Sequence, residues 1–393
     1  MLNRFVEVFL VALRLGFTSF GGPTAHIGYF RDEYVGRRKW LPEQEFADLV
    51  ALCQMLPGPA SSQLGIAIGT IRAGRIGGIL AWIGFTMPSA IALILFAYGV
   101  STVEDVSDAP WLAGVKIAVV PVVAVAALSM AKTLCPDRTT ATIAIAATAA
   151  MLLVPDAAWQ FAVIAAGAIA GLAVIKTDTS GAETQKSSSS RSFGGVLIGI
   201  FFVLLIGLPI LSESLDEFEL EVFSGFYTSG SLVFGGGHVV LPLLEAEVVE
   251  SGWVSADSFI AGYGAAQAIP GPLFTFSSYL GTDSGVFTPL WLGGLFALGA
   301  IFLPSFLLIW GALPFWTQLR SSQRFRNALA GVNAAVVGLL VSALYTPVWT
   351  SSIKAAEDLA LAAVLYALLA VWKLPALLVV VIAAGGGYVL EWL

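Results

Sequence analysis

Long apolar runs with few or no charges recur along the chain, at Ile76–Val100, Trp111–Met130, Thr139–Val154, Ala157–Ile175, Phe193–Leu211, Thr288–Gly311, Ala328–Trp349, Asp358–Trp372 and Pro375–Leu393. They are continuous rather than alternating, so they predict helices; a barrel would show alternating segments of about 10 residues. Crossing ~30 Å of hydrocarbon takes about 20 helical residues, so most runs suffice. The two shortest, Thr139–Val154 and Asp358–Trp372, must stand upright or thin the bilayer. The expected class is an all-α, polytopic integral membrane protein. One stretch, Lys176–Ser192, is Ser/Thr-rich without apolar period and predicts a solvated linker.

Composition sharpens this. The chain is 58% hydrophobic and 11% charged, where soluble domains carry roughly 25% charged residues. That excludes a soluble multidomain enzyme and a nucleic-acid binder. The net charge of −7 is scattered over short loops and names no partner. Cys53 and Cys135 lie far apart in apolar surroundings, with neither disulfide nor metal spacing, and two histidines cannot build a His-rich metal or haem site. No cofactor is expected. Glu7 and Arg14 interrupt the first apolar stretch, which therefore does not read as a cleavable signal. No phosphate-binding loop of the Walker type is present, so ATP hydrolysis is not expected.

The linker lies near the middle, and the flanking sequences repeat. Phe20-Gly21-Gly22 matches Phe234-Gly235-Gly236 at an offset of 214. Trp40, Phe46 and Gln54-x-x-Pro57-Gly58-Pro59 match Trp253, Phe259 and Gln267-x-x-Pro270-Gly271-Pro272 at 213. Pro88-Ser89 matches Pro304-Ser305 at 216, and Leu112-Ala113-Gly114-Val115 matches Leu329-Ala330-Gly331-Val332 at 217. The expected organisation is a repeat over 1–175, a linker with an unpaired helix (193–211) over 176–217, and a second repeat over 218–393. An unpaired span between equal halves inverts the second, provided each half crosses an even number of times.

Loop charges agree with inversion. Arg31, Arg37, Arg38 and Lys39 occupy the first long loop, whereas its counterpart holds Glu245, Glu247 and Glu250 without Lys or Arg. Basic and acidic loops alternate elsewhere, which puts the N-terminus and the linker in the cytoplasm and the C-terminus outside. Segments 5–21 with 43–72, and 218–236 with 255–284, either span fully (13 crossings) or re-enter (nine); the loop charges favour re-entry.

Each half breaks its helices twice. The first break is Gly-rich: Gly21-Gly22 ahead of His26, and Gly235-Gly236-Gly237 ahead of His238. The second is Pro57-Gly58-Pro59 and Pro270-Gly271-Pro272. Proline ends a helix and glycine permits positive φ, so a short helix starts anew after each Pro-Gly-Pro with free N–H groups and a positive dipole end, suited to an anion. Hydroxyls cluster there, Ser61 and Ser62 in one half and Thr275 in the other. Breaks at corresponding places in two halves point to a transporter's binding site. Intramembrane Arg14 and Lys116 are candidate counter-charges, with Asn333 the repeat partner of Lys116. His26 and His238 are candidate donors or proton switches, and Asp48 a candidate for proton coupling.

These residues resemble the chromate ion transporter family in its long, two-domain form. The resemblance rests on Phe20-Gly21-Gly22-Pro23 with His26, on both Gln-x-x-Pro-Gly-Pro motifs, on Phe234 through Pro242 and on Gly331-Val332-Asn333-Ala334-Ala335. It implies a bacterial inner-membrane secondary carrier that exports chromate, with sulfate as look-alike competitor, the lipid bilayer as its surroundings and two oppositely oriented halves. Other readings are an uptake permease for sulfate or another oxyanion, and an intramembrane hydrolase using Ser231 and His238.

Overall fold

The computed structural model describes residues 2–19, 22–102, 110–154, 157–175, 191–215, 217–234, 240–315 and 322–391. Gly21, Gly235, Gly236, Gly237, His238 and most of the linker lie outside the described residues. Helices run in the first half as α1 (Leu2–Thr18), α2 (Gly22–Phe30), α3 (Glu43–Met55), α4 (Ala60–Thr102), α5 (Pro110–Leu134), α6 (Arg138–Leu153) and α7 (Ala157–Val174). Helix α8 (Arg191–Leu215) follows the linker. The second half has α9 (Phe218–Leu232), α10 (Val240–Val248), α11 (Ala256–Ala268), α12 (Phe276–Asp283), α13 (Leu290–Ala312), α14 (Gln323–Ala343), α15 (Ala356–Ala370) and α16 (Ala376–Leu390). No strand occurs among the described residues. Helix α14 begins five residues before the expected run because Ser322 caps it, accepting the Phe325 N–H. Asp137 caps α6; the Thr140 and Thr139 N–H groups hold its carboxyl below the usual range.

Helix α4 is a folded-back pair. A straight helix of 43 residues would be about 65 Å long, twice the bilayer. Ala73 (φ −143°) and Gly74 (φ +73°) break it, and Gly69 then lies against the Gly77 carbonyl. Only glycine tolerates that φ at Gly74 without strain. The second half repeats the arrangement with α12 and α13, where Gly281 lies against the Gly293 carbonyl.

An ion-pair web ties the early segments together. Glu7 at the start of α1 binds Arg38 at 3.1 Å and Arg72 at 2.9 Å. Glu33 binds Arg38 at 3.0 Å, Arg37 at 3.1 Å and Arg14 at 3.6 Å. Residues 7, 33, 38 and 72 therefore share one end of the molecule, an arrangement in keeping with α1/α2 turning back on themselves. In the second half Glu221, the counterpart of Glu7, faces Glu247, so α9/α10 also return to their starting end.

The halves exchange helices. α5 packs on α15 and α16, and α14 packs on α6 and α7. Each crossing is closed by glycine: Gly114 abuts the Ala383 carbonyl and Gly387, while Gly331 abuts the Gly167 carbonyl and Gly171. Small residues let membrane helices approach to backbone contact. α8 leans on α9 and α13 and leaves Val203 70% exposed and Ile206 63% exposed, as a lipid-facing helix would.

Two outcomes are expected. Gly331→Leu forces a side chain into the α7 backbone and destabilises by about 1–3 kcal/mol or more. Gly99→Leu, with open space around it, does not; melting of the purified protein compares them. With Cys53 and Cys135 replaced, cysteines at positions 37 and 250 label from opposite sides of the membrane, and same-side labelling refutes inversion.

Candidate functional site

The centre of the molecule is where the two kinds of break meet, each half against the other. The Gly58 N–H donates to the Val233 carbonyl at 2.6 Å, and the Gly271 N–H donates to the Ser19 carbonyl at 2.9 Å. Val233 and Ser19 are repeat partners directly before the Phe-Gly-Gly segments. Both glycines have positive φ, +119° and +104°. A serine one turn-face away supports each junction: Ser89 Oγ donates to the Pro270 carbonyl at 2.6 Å, and Ser305 Oγ lies against Gly58.

A cavity of about 810 Å³ extends from this junction. Both halves line it in pairs, Gln54 with Gln267, Leu56 with Ile269, Gly58 with Gly271, and Ala60 with Leu273. It runs past Ser129, Thr133 and Asn333 to a mouth bearing Arg326 and Lys373. That mouth lies by Leu134, at the end of the molecule where Lys132 and Arg138 flank the α5–α6 turn. Asn333 Oδ1 is buried without a hydrogen bond, so a ligand or water in the cavity would find an unengaged group there.

The residues expected from sequence divide into three sets. Gly22, Gly58, Gly271 and Asn333 line the cavity. His26, Ser61 and Ser62 are buried behind its floor, with His26 Nδ1 3.2 Å from Ser61 Oγ. Pro57, Pro59, Pro270 and Pro272 shape the junction, and Thr275 Oγ1 donates to the Pro272 carbonyl at 2.7 Å. The two candidate cations stand elsewhere. Arg14 is exposed and pairs with Glu33; Lys116 pairs with Asp257 at 2.9 Å. Ser231 Oγ is engaged by the Tyr227 carbonyl at 2.7 Å. Sequence reasoning missed Gln54, Gln267, Ser89, Ser305, Arg326 and Lys373. The first four were visible as repeated letters beside the prolines; the two cations, with no repeat behind them, gave no such signal.

Among the described residues no cluster of His, Cys, Asp or Glu could hold a metal ion. What the geometry defines is a multi-pass helical protein with a largely apolar cavity, carrying a few polar groups and floored by crossed helix breaks, the architecture of a membrane transporter. The chain belongs to the chromate transporter family, whose model matches residues 6–172 and again residues 220–388. It is 26% identical to a chromate transport protein of Pseudomonas aeruginosa, over 85% of this chain and 79% of that one. It is also 26% identical to a probable chromate transport protein of Synechococcus elongatus, over 96% and 93% of the two chains, and 25% identical to a chromate transport protein of Cupriavidus metallidurans, over 86% and 81%. No solved structure matches the chain.

Charges in a cavity lining, here exposed Lys373 and half-buried Arg326, concentrate an anion and are screened by salt. Lys373→Gln and Arg326→Gln should each raise the half-saturation concentration for an oxyanion about threefold to tenfold at low ionic strength, with the difference fading in 1 M salt. Kinetics of labelled-anion flux at two salt concentrations test this.

Proposed function

We propose that this protein is a secondary transporter that exports chromate across the inner membrane and so confers chromate resistance, with sulfate competing for the same cavity. The observation that carries the reading is a cavity lined by both halves, floored by Gly58 and Gly271, with Arg326 and Lys373 also in its lining. Excess Lys and Arg mark cytoplasmic loops, so this mouth opens inward, where an exporter collects its cargo. The halves, 1–175 and 218–393, act as oppositely oriented repeats joined by the linker and α8. Rocking one against the other about the Gly58 and Gly271 junction would close the inner mouth and open an outer one.

Energy supports the outward direction. Each negative charge leaving a negative-inside cell gains about 2.3 kcal/mol per 100 mV. A potential alone therefore drives export.

Radiolabelled chromate flux in inside-out vesicles with the membrane potential clamped tests the proposal. Accumulation that grows with an inside-positive potential and falls with added sulfate supports export of an oxyanion. Cells expressing the protein should hold less chromate and tolerate more of it. Raised cellular chromate would instead favour an uptake permease.

A further inference from the structure

The two junctions are alike in backbone and unlike in side chains. In the second half the hydroxyls are engaged: Thr275, Ser277 and Ser278 donate to the carbonyls of Pro272, Phe274 and Thr275 at 2.7, 2.8 and 2.7 Å. Ser89 reaches the Pro270 carbonyl. Phe274, Phe276 and Phe302 fill the surrounding space and are fully buried, the rings of Phe274 and Phe302 lying 5.8 Å apart.

In the first half the corresponding positions are polar. At the offset of 213 carried through Pro-Gly-Pro, Ser61 stands where the second half has Phe274, and Gln63 where it has Phe276; at 214, His26 stands where it has Val240. Four buried atoms here lack a hydrogen bond: Ser62 Oγ, His26 Nε2, Gln63 Oε1 and, from α13, Ser305 Oγ. Ser305 Oγ lies 3.0 Å, and Gln63 Nε2 2.7 Å, from where a Cβ on Gly58 would sit. Buried polar groups are normally paired, so these atoms offer donors and an acceptor to a ligand beside Gly58; at the Gly271 junction Ser19 Oγ is likewise buried without a hydrogen bond. The helix over residues 60–72 starts here. Its Gln63 N–H donates to the Pro59 carbonyl, leaving the N–H groups of Ala60, Ser61 and Ser62 ahead of that first bond, at the positive end of the dipole. Gly58 and Ala60 also line the cavity, so this cluster of side chains (the chamber) lies directly behind its wall.

Two features specify the charge of the occupant. Among the described residues no formal cation joins this cluster: Arg14 is taken by Glu33 and Lys116 by Asp257. A dianion stripped of water without a counter-charge is far costlier than a monoanion. Gln63 Nε2 is donated to the Pro57 carbonyl at 2.6 Å, so its Oε1 can only accept a proton-bearing group.

We propose that the first-half junction binds the oxyanion in its singly protonated form, with Ser62, Ser305, His26 and the helix N-terminus donating and Gln63 Oε1 accepting the ion's own proton, while the second-half junction is a scaffold without ligand. This rests on the transporter reading above. Chromate takes up its first proton near neutral pH and sulfate only in strong acid. Sulfate can therefore occupy the wide cavity and compete there, yet it is refused by the chamber. Other titratable groups on the surrounding elements do not supply this dependence. Cys53 of α3 lines the cavity; Glu7, Arg14, Glu33, Arg38 and Arg72 close on one another. Asp48 of α3 is half-buried and partnered, Glu219 and Glu221 stand at the far end of α9, and α13 carries no charged or titratable side chain.

The test uses the full-length protein in liposomes with clamped potential and labelled chromate or sulfate at low concentration between pH 6.5 and 8.5. Chromate flux should fall about tenfold per pH unit above the ion's own pKa, and sulfate should inhibit while moving at least about tenfold more slowly. Ser62→Ala combined with Ser305→Ala should cut chromate flux about tenfold or more without lowering the melting temperature, because those hydroxyls have no partner in the free protein. Phe302→Leu should leave the half-saturation concentration unchanged. A flat chromate pH profile, sulfate flux equal to chromate flux, or wild-type kinetics in the double variant would each overturn the proposal while leaving a transporter in place. A wild-type protein that carries neither ion would overturn the transporter reading together with it.

Discussion

Backbone that leaves a helix inside a bilayer has no water to bond with, and every polar group it frees must find a partner in protein. This chain meets that constraint by turning two breaks on each other. Pro-Gly-Pro contains a single N–H, because proline has none. That one donor, on Gly58 or Gly271, is given to the carbonyl freed at the end of the opposite half's first helix. Positive φ at the two glycines aims the N–H outward from its own segment, which a residue with a side chain would not do without strain. The rest of the architecture, including the returning helices, the shared cavity and the pairing of Ser89 with Pro270, is arranged around this exchange.

Much of this was legible in the sequence because the signals were rare residues in order. Two Phe-Gly-Gly segments and two Gln-x-x-Pro-Gly-Pro motifs marked the repeat, which the family model matches twice. Loop charges already favoured re-entry over a full span for residues 5–21, and the pairing of Glu7 with Arg38, 31 positions apart, brings the chain back toward its starting end. The counter-charges, in contrast, misled. Arg14 looked available because Glu33 is distant in sequence, and Lys116 because Asp257 lies in the other half. A single sequence displays charges and hides their partners.

The distribution of charge along the passage has its own logic. Exposed Lys373 and half-buried Arg326 belong to the cavity lining, and its described floor carries the amides of Gln54 and Gln267 beside the two glycines. A fixed cation at the floor would bind an anion tightly and release it slowly, whereas neutral donors hold a bare ion in place and let it go. Conduction through a membrane demands that compromise.

The traded helices have a mechanical consequence. Since α5 is clasped by α15 and α16, and α14 by α6 and α7, neither bundle is whole without helices of its twin, like two hands with interlaced fingers. The two cannot part without unseating the backbone contacts at Gly114 and Gly331, so each half is a structural member of the other.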